Sequence, residues 1–152
     1  MTDTRIIDPA VLRQQFREKY RAVAVDPDAT YHFHTGRALA DRLGYDPTIL
    51  DTLPDRAVES FAGVANAFSL RTIAPCERVV DIGSGAGFDS FVAAHHVGLA
   101  GDVVGIDMTA EMLAKATATA ESLELSHVAF RCGFAEDPPV EDGWAGSSSP
   151  TV

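Results

Sequence analysis

The chain has 152 residues, 46% apolar and 22% charged, and its formal net charge of −10 argues against nucleic acid and anionic membranes, which select for excess Lys and Arg. No apolar run approaches the length of a membrane span, and the polar, acidic start MTDTRIIDPA lacks a signal-peptide pattern. The two cysteines, Cys76 and Cys132, stand far apart without metal-ligand spacing, so a reduced, cytoplasmic protein with no metal site is expected.

Residues 1–75 read as a helical cap. Asp8 is placed to N-cap a helix beginning at Pro9 and running to about Tyr20. His32 and His34 alternate within YHFHTGR, so both can face one side of an extended segment and bind a metal or a substrate; surface or cap-packing histidines are the commoner outcome. Tyr31 and Arg37 are candidates for closing a site from this cap. Shorter helices are expected over Arg37–Leu43, Pro47–Leu53 and Asp55–Phe61, the last entered through Pro54 and left at Gly63. No strand-like alternation occurs here.

Near RTIAPCE the pattern changes. RVVDI reads as a short buried strand, GSGAG as a glycine turn, and FDSFVAAHHV as a helix closed by Gly98. DVVGID is a second strand. Thr109 is placed to cap the helix AEMLAKATATAESL, which carries Met112, Leu113, Ala116, Ala120 and Leu123 on roughly one face. HVAFRC is a third strand. Strand–helix–strand–helix–strand predicts an α/β unit with three parallel strands and right-handed crossovers over residues 76–145. His95 and His96 fall at the far end of the first helix and are expected to be structural, and His127 is expected to be exposed. Trp144 is expected in a core or an interface.

The informative stretch is VVDIGSGAGFD. Glycines 83, 85 and 87 let the backbone turn sharply after a strand and approach a ligand without Cβ clashes. The helix after them directs free N–H groups and its positive dipole end at the same spot, which suits a carboxylate or phosphate. Asp107 ends the next strand 20 residues after Gly87, where an acid can accept both hydroxyls of a ribose. A dinucleotide fingerprint counted from Gly83 would need Gly or Ala at position 88, and Phe88 stands there. Asp81, just before the loop, can hold an ammonium group, which a pyrophosphate lacks. A ligand with a carboxylate, an ammonium and a ribose is S-adenosylmethionine.

Asp81-x-Gly83-x-Gly85-x-Gly87 is similar to the first motif of class I S-adenosylmethionine-dependent methyltransferases, GIDMTAEML resembles their second, and RCGFAEDPPV looks like their adenine-side loop. Residues 79–116 resemble the arsenite methyltransferase family and its relatives more closely still, and the likeness covers about Arg78–Val140 well. The resemblance implies the N-terminal half of a Rossmann-like class I methyltransferase sheet preceded by a helical cap. It places Gly83, Ser84, Gly85 and Gly87 with Asp81 at the methionine end, Asp107 on the ribose and Met108 against the adenine. Phe134 and Ala135 would border the base, with Glu136 as a candidate for its exocyclic amine. The likeness breaks at the substrate: where the family carries a front-loop cysteine this chain has FAGVANAF, and Cys76 occupies a turn position where the family usually has glycine. Two thiols are too few for a three-thiolate arsenic site, so arsenite is not the expected acceptor. Methyl transfer needs mainly alignment of the acceptor, so no catalytic residue has to be visible, and none is.

Residues 146–152, GSSSPTV, break all periodicity. Read one base earlier, with the serines as TC-type codons, they specify three apolar residues, a small one, a set including Asn, a set including Gly, then an apolar one. The family's fourth strand and turn look like VVISNGV and fit each position. The tail is therefore expected to be an out-of-frame or disordered end that leaves out the substrate wall and exposes the edge of the first strand. Three functions remain open at this level: a shortened S-adenosylmethionine-dependent methyltransferase acting on a small acceptor; an inactive cofactor-binding module or split-protein partner that pairs through that edge; and, disfavoured by Phe88 and Asp81, a nicotinamide-dependent dehydrogenase fragment.

Overall fold

A computed structural model describes residues 35–63 and 65–145. The expected helix over 9–20, Tyr31, His32, His34, Val64 and the tail 146–152 lie outside the described residues.

The helical part begins with α1 (Gly36–Arg42), α2 (Pro47–Leu50) and α3 (Asp55–Glu59). Asp46 caps α2: its Oδ1 accepts from the Thr48 backbone N–H at 2.9 Å and from the Thr48 hydroxyl at 2.7 Å, and Pro47 fills the first turn. Both later helices are shorter than the sequence predicts. The stretch after Leu50 runs as a turn into Pro54, which disfavours helix at the residue before it. The Phe61 carbonyl accepts from the Gly36 N–H at 2.8 Å, a bond to the start of α1 rather than one within α3. Asn66 then caps a short 3-10 turn, Ala67–Ser69, its side chain accepting from the Phe68 N–H.

Strands β1 (Arg78–Ile82), β2 (Asp102–Asp107) and β3 (Val128–Cys132) form one parallel sheet in the order β1-β2-β3, with α4 (Phe88–Val97) and α5 (Ala110–Ser122) as the crossovers. Val79 pairs with Val103, and Val103 with Val128. The expected α/β unit is therefore present, with the first strand at an edge among the described residues. Both crossover helices cover one face, where Phe91, Ala94 and Val97 of α4 and Ala120 of α5 pack on Val79, Val103 and Val128. Full burial of Phe91 alone stabilises by roughly 2–3 kcal/mol. Thr109 precedes α5 as expected, but its side chain makes no capping bond.

The opposite face, Val80, Val104 and Ile106, is covered by Ile82, Val140, Trp144 and Ala145. Trp144 has the Arg78 guanidinium 5.6 Å from its ring centroid. Cys76 has φ +66, a left-handed turn that favours glycine, and its N–H donates to the Val97 carbonyl. His96 packs on Phe68 at 5.7 Å, the structural role expected of it. His127 departs from expectation: it is half-buried, and both ring nitrogens are buried without a protein hydrogen bond.

The cap locks onto the sheet unit through aromatic rings. Phe61 stacks on Phe88 at 4.1 Å, and Tyr45 meets Phe88 edge-on at 5.0 Å and Phe61 at 5.4 Å. Phe88, the residue that breaks the dinucleotide fingerprint, is thus the anchor for the cap and is 3% exposed.

Candidate functional site

The site is built at the C-terminal ends of the three strands. Gly83, Gly85 and Gly87 take φ of +78, +55 and +92, so the loop after β1 runs through left-handed backbone at three alternate positions. At Gly87 the need is also steric: a Cβ there would lie 2.8 Å from Phe130 and 2.9 Å from Phe91. Gly83 and Gly85 face open space within 4 Å, leaving the loop surface free for a ligand. The Ile106 carbonyl accepts from the N–H groups of Gly83 (2.8 Å) and Ser84 (3.0 Å), fixing the loop to the end of β2.

Two hollows flank this loop. The outer recess, about 340 Å³, is lined by Ile82, Gly83, Gly85, Ile106, Asp107 and Met108 on one side, and by residues 133–136 on the other. Asp107 is set rigidly in it. Oδ2 accepts from the Gly85 N–H at 3.0 Å and Oδ1 from the Thr109 N–H at 2.8 Å, so the carboxylate is oriented while each oxygen keeps acceptor capacity. The Gly133 N–H donates to the Asp107 carbonyl at 3.0 Å, and Phe134 pairs with Asp137 in a short antiparallel bridge that shapes the far wall. The sequence candidates Gly83, Gly85, Asp107, Met108, Phe134, Ala135 and Glu136 all come together here.

The inner cavity, about 100 Å³, lies across the loop, between Ala57, Ser60, Phe61 and Gly63 of the cap and Ser84, Asp89 and Met112 of the sheet unit. Ser84 is 7% exposed, and its hydroxyl is buried without a protein hydrogen bond. Asp89, in the first turn of α4, accepts from the Tyr45 hydroxyl at 2.6 Å. Burial pushes its carboxyl up to about 6, against the opposing effect of the Tyr45 bond. The Tyr45 hydroxyl is itself raised, by burial and by Asp89, and stays a donor.

Asp81 is placed otherwise than the sequence suggests. Strand alternation turns it to the face that carries Val79, beneath α4, where it is 3% exposed and accepts from the Ser90 hydroxyl at 2.6 Å. It lines neither hollow. Burial first, then the charges of Asp89 and Asp107, push it up to about 7. Gly87 is likewise a packing glycine of the loop rather than part of either lining. Arg37 does not reach the loop: its guanidinium pairs with Asp51 at 2.9 Å and Asp41 at 3.2 Å, in a separate recess on the cap. Ile82, Ile106 and Gly133 in the outer recess, and Asp89 and Tyr45 at the inner cavity, are site residues that the sequence motifs do not signal, and Thr109 is signalled only as a helix cap. Ile82 and Gly133 are strand-end neighbours of chosen residues, so counting strand alternation outward would have found them. Tyr45 lies 44 positions from its partner and leaves no sequence signal.

Residues 74–146 match the family model of a methyltransferase domain. This part of the chain belongs to that family. The family is one of S-adenosylmethionine-dependent enzymes. The chain is similar to an arsenite methyltransferase of Halobacterium salinarum, with 34% identity over 149 residues, which covers 89% of this chain and 38% of that protein. It is also similar to an arsenite methyltransferase of Aquipseudomonas alcaligenes, with 48% identity over 64 residues covering 40% and 18%. Among solved structures, an arsenic(III) S-adenosylmethionine methyltransferase of Chlamydomonas reinhardtii aligns with a TM-score of 0.50 and 32% identity, over 57% of this chain and 31% of the other. The chain thus spans well under half the length of the curated relatives it matches. The three-stranded parallel sheet with its crossover helices matches a fragment of the Rossmann-like methyltransferase fold. Among the described residues no helix is long and apolar enough to cross a membrane.

Proposed function

We propose that this chain binds S-adenosylmethionine with its adenosine in the outer recess and serves methyl transfer to a small acceptor. The observation that carries this reading is the oriented Asp107 carboxylate, fixed by Gly85 and Thr109 in a recess whose other walls are Met108 and residues 133–136. A carboxylate held this way can take two ribose hydroxyls, and the largely apolar walls suit a purine ring. Phe88, buried in the aromatic cluster, occupies the place where a dinucleotide-binding turn needs a small residue.

Bound S-adenosylmethionine supplies an already activated methyl group, so the chain's residues need only hold it, keep water away and align the acceptor. Asp107 would hold the ribose, Met108 and Phe134 would border the base, and Glu136 would accept from the exocyclic amine. The acceptor is not arsenic held by three thiolates from this chain. Cys76 precedes β1 and Cys132 ends β3, at opposite ends of a parallel sheet, so the two cannot converge on one ion.

A second reading rests on the sheet order, which leaves β1 with an unpaired edge among the described residues. The chain then holds the cofactor and completes its sheet with another polypeptide or a second copy. Titration calorimetry with S-adenosylmethionine and with NAD tests the cofactor: binding of NAD without S-adenosylmethionine would overturn the proposal. A methyl-transfer assay on the purified chain, paired with its mass in solution, separates an active enzyme from a binding module.

A further inference from the structure

We propose that Asp89 and Ser84 form the seat of the ligand's amino group, an ammonium site in the inner cavity. The inference rests on the cofactor reading above and deepens it.

Three observations meet at this cavity. The Ser84 hydroxyl is buried and has no protein partner, a state that costs free energy unless something else bonds to it. Asp89 is a largely buried carboxylate that receives one hydrogen bond, from Tyr45. Among the described residues no Lys, Arg or His pairs with it, and its raised pKa has no cationic contribution. Lys115 donates to the Ser60 hydroxyl on the cap side of the cavity at 3.2 Å and does not pair with Asp89. Burial of a carboxylate without a positive partner is unfavourable, so Asp89 and Ser84 present two acceptor groups to a small space with no cation on them. At about 100 Å³ the cavity takes an ammonium group and the carbon bearing it, not a whole nucleoside.

The position follows from the fold. Gly83 and Gly85 border both hollows, so a ligand whose ribose lies on Asp107 can cross the loop and place its amino end in the inner cavity. An acid in the first turn of α4 is favoured by the helix dipole alone. That accounts for neither the Tyr45 bond, which comes from the cap, nor the unpartnered Ser84 hydroxyl beside it. Asp81 lies beneath α4, bonded to Ser90, and lines neither hollow. At pH 8 Asp89, raised to about 6, is ionised and able to meet an ammonium.

The test compares S-adenosylhomocysteine with 5′-S-(3-carboxypropyl)-5′-thioadenosine, the same molecule with hydrogen in place of the amino group, by calorimetry at pH 8 on the full chain. The wild-type chain is expected to bind S-adenosylhomocysteine roughly ten-fold to a hundred-fold tighter than the deaminated compound. Asp89→Asn is expected to bring that ratio near one while leaving affinity for the deaminated compound unchanged, which also shows that the variant is folded. Ser84→Ala is expected to lower the ratio by a smaller factor. Equal wild-type affinity for the two compounds, or a ratio that survives Asp89→Asn, overturns the inference and leaves the cofactor reading standing. If Asp89→Asn does not fold, the wild-type ratio and its change in Ser84→Ala decide the matter. Binding of neither compound overturns the cofactor reading and this inference with it.

Discussion

The two hollows beside the glycine loop share Gly83 and Gly85 yet are built by different physics. In the outer recess the polar group is anchored by the main chain: two backbone N–H groups hold Asp107 in place before any ligand arrives. In the inner cavity Lys115 holds Ser60 and Tyr45 holds Asp89, with Ser84 left unpartnered and Asp89 raised to about 6. The outer side is therefore preorganised for shape, and the inner side is poised for charge. One loop thereby serves two kinds of recognition, and changes on its two sides are expected to separate cleanly.

The largest effect is expected from Asp107→Ala, which strips the outer recess of its acid and cuts the tie to Gly85. Affinity for S-adenosylhomocysteine and for its deaminated analogue should fall together, by roughly a hundred-fold or more, in calorimetry. A selective loss of one ligand would break the division between the hollows. Gly87→Ala acts on both sides at once, because φ of +92 and contacts of 2.8 and 2.9 Å leave no room for a Cβ. Urea denaturation should show a loss of about 2–4 kcal/mol.

Asp81→Asn tests the space beneath the loop. A carboxyl raised from 3.8 to about 7 binds its proton more tightly in the folded chain than in the unfolded one. The stability this contributes is complete below the unfolded value and is lost as pH rises through about 7. The wild-type melting temperature should therefore fall between about pH 4 and pH 7 and level off above that, and Asp81→Asn should make that fall smaller. Its affinity for S-adenosylhomocysteine should stay within about two-fold of wild type; a large loss would return Asp81 to the ligand. Met108→Ala trims one wall of the outer recess and should weaken both ligands by roughly five-fold, about 1 kcal/mol.

The strands and the helix between the first two were legible because the β-branched runs RVVDI and DVVGID are set off by turn glycines, Gly83 after the first and Gly98 and Gly101 before the second. The outer recess followed from them, since Asp107, Met108 and residues 134–136 sit at strand ends in a fixed order. The short cap helices were less legible. Their lengths depend on Pro54 and on the bond between Gly36 and Phe61, which joins segments 25 positions apart. The inner cavity was hidden for the same reason: Tyr45 reaches Asp89 only after the aromatic cluster has docked the cap. Asp81 stands next to the loop in sequence, yet strand alternation turns it to the helix face, where it meets Ser90.

The central claim is that the recess between Met108 and residues 133–136 receives an adenosine whose ribose lies on Asp107. A crystal structure of the chain with S-adenosylhomocysteine tests it most directly. The account predicts the adenine between Met108 and Phe134, both ribose hydroxyls on the Asp107 carboxylate, and the amino group across the loop. An adenine bound elsewhere, or a ribose that makes no contact with Asp107, would contradict it.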